Sequence, residues 1–358
     1  MIPDIFDFYK NKKVLITGHT GFKGTWLCSV LLYMGADITG YARPVPAEPS
    51  LYSLCGMDKY VKSIYGDIRD AEKLNAVCSE AHPDIVIHLA AQPIVREGYR
   101  LPAYTYGVNV MGTVNILEAV VSSRDTVRSF LNVTTDKVYL AEDKRVLCEN
   151  DILDGFDPYS NSKSCSELIT ACYKRSIDAL GTVAVSTARA GNVIGGGDFA
   201  PGRIIPDCVR AALRGEDISV RNPLSERPYQ YVLDALFAYL VIAARQYDDP
   251  AKSGCYNVGA VKRTSVPTGE LVDMFCREWG GIRRADCPEP GALRETGALR
   301  LDCSLIRKVF GSLPETPTEE AVRKICEWTK AWMRGENIFT QNEKEVRDYF
   351  ARIRGNGL

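Results

Sequence analysis

The feature that most constrains this chain stands near its start. Gly18-His19-Thr20-Gly21-Phe22-Lys23-Gly24 follows the short β-branched run Lys13–Thr17 and leads into an apolar stretch that reads as helical over 26–34. In a strand–turn–helix unit of this kind glycines let the backbone turn sharply and approach a pyrophosphate. The free N–H groups and positive partial charge of the helix N-terminus then hold that anion. A glycine pattern alone says little, and a plain turn competes with it. Its place, after the first strand of an alternating chain, gives it weight.

The alternation continues. Strand signals over 37–41, 64–66, 84–90, 129–135 and 183–190 are interleaved with helical patterns over 108–121 and 159–173. The strands are apolar throughout rather than every second residue, so both faces of a parallel sheet are covered. After Gly191 glycine and proline become denser and the elements shorter: a strand at 218–221, a helix over 232–245, a strand at 255–258, and helices near Val272 and over 319–333. The expected fold is α/β: a doubly wound parallel sheet of Rossmann type over 1–190, with a smaller mixed α/β substrate lobe over 191–358. The segment 232–258 is expected to pack back on the sheet.

The bulk numbers exclude several other classes. At about 150 residues per domain, 358 residues suggest two domains. A net charge of −1, from 44 basic and 45 acidic side chains, announces neither nucleic acid nor an anionic membrane as partner. No run approaches the ~18 apolar residues of a membrane span, and the start reads as lacking a signal peptide. The twelve cysteines form no C-x-x-C pair and read as reduced thiols in a cytoplasmic protein. The three histidines, His19, His82 and His88, stand at no zinc spacing relative to them, so no metal is expected.

An acidic residue after the second strand would select NAD by holding the adenosine ribose. Here the strand ends Gly40-Tyr41-Ala42-Arg43, and Arg43 could meet a 2′-phosphate, which leaves NAD against NADP open. Asp67-Ile68 follows the third strand, and the aspartate there is as readily a turn residue.

Tyr159 and Lys163 lie four apart at the start of a helix led in by Asp157-Pro158, and so share a face. A free phenol near pKa ~10 is a poor base at neutral pH. A neighbouring ammonium and an oxidised nicotinamide both favour the phenolate, which could then take a hydroxyl proton as hydride leaves the same carbon. The fifth strand ends Thr134-Thr135-Asp136-Lys137, at the carboxyl edge that faces the crevice of such a sheet. An acid and a base directly after Thr135 suit elimination on one sugar. A solvent ion pair is the plainer reading.

These residues carry a resemblance. The chain resembles the CDP-glucose 4,6-dehydratases of the extended short-chain dehydrogenase/reductase superfamily, along almost its whole length. The strings are Gly18 to Gly24, His88-Leu89-Ala90-Ala91-Gln92-Pro93, Asn109-Val110-Met111-Gly112-Thr113, Thr135-Asp136-Lys137, Asp157-Pro158-Tyr159-Ser160-Asn161-Ser162-Lys163, Arg189-Ala190-Gly191-Asn192-Val193-Ile194-Gly195-Gly196-Gly197-Asp198, Arg221-Asn222-Pro223 and Arg227-Pro228. Related dTDP-sugar dehydratases carry a glutamate at the place of Lys137; certain UDP-sugar dehydratases share the Asp–Lys pair.

The resemblance implies bound NAD and a lyase acting on a nucleotide sugar in deoxysugar and polysaccharide biosynthesis. Cofactor contacts would come from Gly18, Thr20, Gly21, Phe22, Lys23, Gly24, Arg43, Asp67, Ile68, Leu89, Ala90, Ala91, Asn109, Thr134, Tyr159 and Lys163. Tyr159 would take the C4 hydroxyl proton, Thr135 bond the C4 oxygen, Lys137 take H5 and Asp136 protonate the departing C6 hydroxyl. Arg96, Asn192, Arg203, Arg221 and Arg227 would grip the substrate. A homodimer or homotetramer is implied, through helices including 108–121 and 159–173. Departures lie on the substrate side: Tyr229 and Tyr231 replace a Trp and a His, Phe199 replaces a Trp, and Arg294-Glu295-Thr296 replaces His-Glu-Ala. A dehydratase or 4-epimerase on a UDP-, GDP- or dTDP-sugar is the alternative, and Asp136-Lys137 argues against the epimerase. A non-catalytic NAD-binding regulator is opposed by the intact Tyr159 and Lys163.

Overall fold

The computed structural model describes residues 2–140, 146–176, 183–260, 265–287 and 300–355; Arg294, Glu295 and Thr296 lie outside them. Strands β1 (Lys13–Thr17), β2 (Asp37–Ala42), β3 (Lys62–Tyr65), β4 (Ile85–His88), β5 (Ser129–Val133), β6 (Ala184–Ala190) and β7 (Cys255–Val258) form one parallel sheet in the order β3-β2-β1-β4-β5-β6-β7. The strand order reverses between β1 and β4, so their carboxyl ends diverge and leave the crevice in which such sheets bind ligands.

The apolar strand runs are explained by burial on both faces. Val14, Ile16, Ile85 and Ile87 enter one core with Trp26, Leu236, Leu240 and Phe350. Leu15, Val86, Phe130 and Val185 enter the other with Leu74, Ile116 and Leu117. On the first side lie α1 (Phe22–Tyr33), α5 (Val232–Asp248) and α7 (Ile338–Gly355); on the second lie α2 (Ala71–Ala81), α3 (Gly112–Ser122) and α4 (Pro158–Ser176). Helix α5 is buried nearly all round and lies against β5 and β6, and β7 then joins the sheet beside β6.

Three local departures from the sequence reading have physical causes. The helix expected over 26–34 begins already at Phe22, because Gly21 serves as its extended N-cap. The helix expected over 108–121 opens instead with a π-helical turn, Gly107–Met111, before α3. Helices Ala71–Ala81, Ile204–Arg214 and Ile338–Gly355 are amphipathic and were masked by their many polar residues.

Beyond β6 the short strands Asn192–Ile194 and Tyr229–Tyr231 pair in parallel, with Asn192 opposite Tyr229. Glu226–Arg227 pairs with Val266–Pro267, and Ile218–Val220 with Arg284–Asp286. Helix α6 (Thr318–Met333) packs with Thr268–Trp279 and sets Trp328 under the glycines at 196 and 197. Among the described residues no helix is long and apolar enough to cross a membrane, and no cluster of His, Cys, Asp or Glu could hold a metal.

Candidate active site

The glycine turn is closed by its own backbone. Gly18 has φ +80°, and a Cβ on it would stand 2.7 Å from the Ala90 nitrogen. A Cβ on Gly24 would stand 2.2 Å from the Gly18 oxygen. Gly21 caps α1 with no side-chain hydrogen bond, and the first turn carries no acid, so its N–H groups remain for an anion. The turn therefore fits the diphosphate of a dinucleotide. Opposite it, the backbone N–H of Leu89 donates to the Thr17 carbonyl (3.0 Å) and that of Ala90 to Thr17 Oγ1 (3.3 Å), which fixes the segment with Ala91 at the β4 edge. Asn109 clamps that segment to α4: its Oδ1 accepts from the Gln92 N–H (2.8 Å) and its Nδ2 donates to Ser162 Oγ (2.9 Å).

At the adenosine end, Thr20 Oγ1 donates to the Arg43 carbonyl (3.0 Å), tying the glycine turn to the end of β2. Asp67 accepts from Arg69 Nε (3.0 Å) and NH2 (2.8 Å), which holds its carboxyl below the usual range. Ile68 is buried, and its carbonyl accepts from Asn115 Nδ2 (3.0 Å). Phe22 lies on the first core beside Gly195. Lys23 reaches the other way: burial and the charges of Arg203 and Lys163 lower its pKa to about 7, with Asp136 and Asp198 opposing.

Helix α4 places Tyr159 and Lys163 under the carboxyl end of β5. Asp157 caps the helix, accepting from the N–H groups of Tyr159 (2.9 Å) and Ser160 (3.0 Å). Lys163 Nζ donates to the Val133 carbonyl (3.2 Å), and burial lowers its pKa to about 8. Burial raises Tyr159 to about 12; a hydrogen bond with Thr135 and the charge of Arg203 oppose that rise. Thr135 Oγ1 donates to Asp136 Oδ1 (2.9 Å), and so does Lys137 Nζ (3.0 Å), which also donates to Asn192 Oδ1 (3.1 Å). Asp136 is wholly buried and its Oδ2 has no partner. Tyr159, Thr135, Asp136, Lys137 and Asn192 are thus gathered within one interaction network, with Lys163 tied to the end of β5 beside it.

The other sequence candidates divide. Arg203 pairs with the buried Asp198 (3.1 Å) and lies close enough to Tyr159 to influence it. Arg227 is buried, donates to the Glu226 carbonyl (2.9 Å) and precedes the strand paired with Asn192. Arg96 rides on the helix Val95–Arg100, whose Gly98 is pressed so close that a Cβ would stand 3.0 Å from the Tyr159 nitrogen. Arg221 is exposed past Ile218–Val220. Thr134 faces inward rather than to the crevice: its hydroxyl donates to Glu167, which also accepts from Thr187 Oγ1 (2.8 Å) and Arg189 NH2 (2.8 Å). Sequence reading missed Glu167, although it continues the spacing of four from Tyr159 and Lys163 along α4. It also left Asp198 and Gln92, both within quoted strings, without a role.

Comparison with known proteins agrees with this geometry. Residues 14–259 match the family model described as the NAD dependent epimerase/dehydratase family. The chain is 39% identical to a CDP-glucose 4,6-dehydratase of Salmonella typhimurium, over 96% of this chain and 98% of that protein. It is 28% identical to a dTDP-glucose 4,6-dehydratase of Streptomyces antibioticus, over 89% and 93%. The structure of MoeE5 with UDP-glucuronic acid and NAD superposes with TM-score 0.76 at 26% identity, covering 89% of this chain and 99% of that one.

Proposed function

Because the chain belongs to the NAD dependent epimerase/dehydratase family, we propose that it is an NAD-dependent hydro-lyase converting CDP-glucose to CDP-4-keto-6-deoxyglucose and water. The observation that carries the reaction is the Asp136–Lys137 contact directly beyond Thr135 and Tyr159. The choice of base and sugar rests on the full-length likeness to the Salmonella enzyme.

Tyr159 takes the C4 hydroxyl proton, and Thr135 holds the oxygen as it becomes a carbonyl. Lys163, cationic below its pKa of about 8, favours the phenolate that Tyr159 must become. A nicotinamide coenzyme held by the glycine turn and the β4 edge would supply reversible hydride acceptance, from C4 and back to C6. The C4 ketone acidifies H5. Lys137 takes that proton, and Asp136 protonates the leaving C6 hydroxyl. At 3.0 Å a single proton passing from Lys137 Nζ to Asp136 turns the ion pair into the amine and carboxylic acid that these two tasks require. Lys137 returns its proton to C5, and one water has been lost overall.

Arg227, Arg203 and Arg96 are assigned to the nucleotide diphosphate and the hexose. Residues 1–190 with 232–258 are read as the cofactor body, and the remainder as the substrate lobe. We read the protein as cytoplasmic, since its cysteines are all unpaired. A homo-oligomer through α3 and α4 is supported by the exposed Met111 and Leu168 at and on these helices.

The test is incubation with CDP-, UDP-, dTDP- and GDP-glucose and mass analysis of the products. Loss of one water from CDP-glucose is expected. A 4-epimer without water loss would overturn the assignment of Asp136 and Lys137, and water loss from another nucleotide sugar alone would overturn the base.

A further inference from the structure

Two guanidiniums converge at the adenosine end of the crevice, and the reaction uses neither. Arg43 follows β2 directly, where an NAD-selective fold places a carboxylate on the ribose hydroxyls and an NADP-binding one an arginine on the 2′-phosphate. Its backbone is fixed: the Arg43 carbonyl accepts from Thr20 Oγ1 within the glycine turn (3.0 Å). Arg69 arrives from beyond β3. The Arg43 guanidinium lies 5.8 Å and that of Arg69 5.0 Å from the centre of the Tyr104 ring, so both cations face one aromatic wall.

The acid that follows β3 is Asp67, and it is already committed. Arg69 holds both its carboxylate oxygens, through Nε at 3.0 Å and NH2 at 2.8 Å, and the Arg69 N–H adds a third bond at 2.9 Å. The loop cannot turn that carboxylate elsewhere easily. Tyr41 OH donates to the Asp67 carbonyl (2.8 Å), and a Cβ on Gly66 would stand 2.3 Å from the same phenol oxygen. Asp70, near the same phenol, accepts from the Lys73 N–H (3.0 Å) as a helix cap, and the Arg43 charge reaches Asp67 only from beyond the Arg69 bonds. No carboxylate pairs with Arg43 among the described residues.

We propose that this corner takes a 2′-phosphorylated adenosine, so that the chain binds NADP as well as NAD, with Arg43 holding the 2′-phosphate and Arg69 supporting it. Rejection of NADP normally comes from a free carboxylate that accepts the ribose hydroxyl and repels a phosphate; here that group is absent after β2 and neutralised after β3. An arginine meets a phosphate through paired N–H donors, which adds geometry to charge. The 2′-phosphate lies at the far end of the dinucleotide from the nicotinamide, so the hydride chemistry is unchanged. The inference rests on the family's use of NAD at this crevice, and its test reads coenzyme affinity without turnover.

The experiment is titration of the coenzyme-free full-length protein with NAD and with NADP by calorimetry, at one fixed ionic strength. The expected result is that the two dissociation constants lie within about tenfold of one another. The ratio of the NADP constant to the NAD constant should rise at least tenfold in Arg43→Ala and further in Arg43→Asp, whose carboxylate restores the repulsion. A smaller rise is expected in Arg69→Ala, which loses one cation but frees Asp67. Since each variant is judged by a ratio, a general loss of folding or of dinucleotide binding does not imitate the effect. Wild-type NADP binding more than a hundredfold weaker than NAD would overturn the proposal, as would a ratio unmoved by Arg43→Ala. If neither coenzyme binds, the cofactor assignment itself falls, and this proposal with it. If NAD and NADP bind as expected but no nucleotide sugar loses water, the proposal stands and the dehydratase reading fails.

Discussion

Around residues 18–24 the backbone makes the site, whereas beyond β5 side chains make it. In the turn a Cβ on Gly24 would lie 2.2 Å from a carbonyl oxygen, and α1 is capped by a glycine that contributes no side-chain hydrogen bond. Past β5 almost every residue carries a charge or a hydroxyl with a named partner: Thr135, Asp136, Lys137, Asn192, Tyr159 and Lys163. A site of backbone amides is set by the course of the chain and has no side chain to adjust. A site of side chains can be retuned one residue at a time, and it is there that we assign the chemistry.

The contrast can be broken first at its chemical side. Tyr159→Phe removes the phenol we assign to the C4 proton, and turnover should fall by about 10⁴ with coenzyme affinity little changed, measured by kcat beside calorimetry. Lys137→Ala should lower water loss by about 10³. It should leave substrate-driven reduction of the coenzyme in place, visible in a single-turnover absorbance trace; intact elimination would sink the role of Lys137. On the backbone side, Gly24→Ala should raise the coenzyme dissociation constant on the order of a hundredfold, from an overpacking cost of about 1–3 kcal/mol. If affinity is unchanged while kcat falls, the turn is not where the dinucleotide sits. Asn192→Ala leaves Lys137 with Asp136 alone and should cost about tenfold in kcat.

The remaining effect is on stability rather than on catalysis. Burial lowers His19, packed against Gly40, to about 4, and His88, bonded through Nδ1 to Thr17 Oγ1 (2.7 Å), to about 3. Both stay neutral in the folded chain while the unfolded chain takes up protons below about pH 6.5. Stability is therefore full above that pH and declines as pH falls towards 4 and 3, by up to about 1.4 kcal/mol per pH unit for each ring. Thermal melts of wild type and His88→Gln across this window should show the variant with the shallower decline.

The strands of the sheet were legible because burial on both faces leaves continuous apolar runs such as Val14-Leu15-Ile16 and Ile85-Val86-Ile87. The crevice was legible because glycine turns and a Tyr–Lys pair four apart are local patterns. What the sequence hid is what depends on distant partners. Helix Ala71–Ala81 buries only Leu74, Val77 and Cys78 among its apolar residues and starts from an Asp70 cap that reads as a loop residue. Glu167 looks like a solvated residue on an amphipathic helix, and only Thr134, Thr187 and Arg189 arriving from two strands explain why it is buried. Thr134 itself is a case of a correct position with an unforeseen direction, since its hydroxyl serves that carboxylate. The π-helical turn at Gly107–Met111 has no periodic signature of its own, since one added residue only displaces the apolar face.

The chain leaves the main sheet after β6 and comes back to it as α5 and β7. During synthesis this imposes an order. When the ribosome has made 190 residues, six strands exist, but β6 is an open edge and the apolar ground beneath it awaits a helix not yet translated. The nascent sheet can close only after the intervening segment, Asn192 and Arg227 included, has emerged and been looped out. A chain stopped before residue 258 would carry a naked strand rather than a smaller working domain, and self-association is its expected fate.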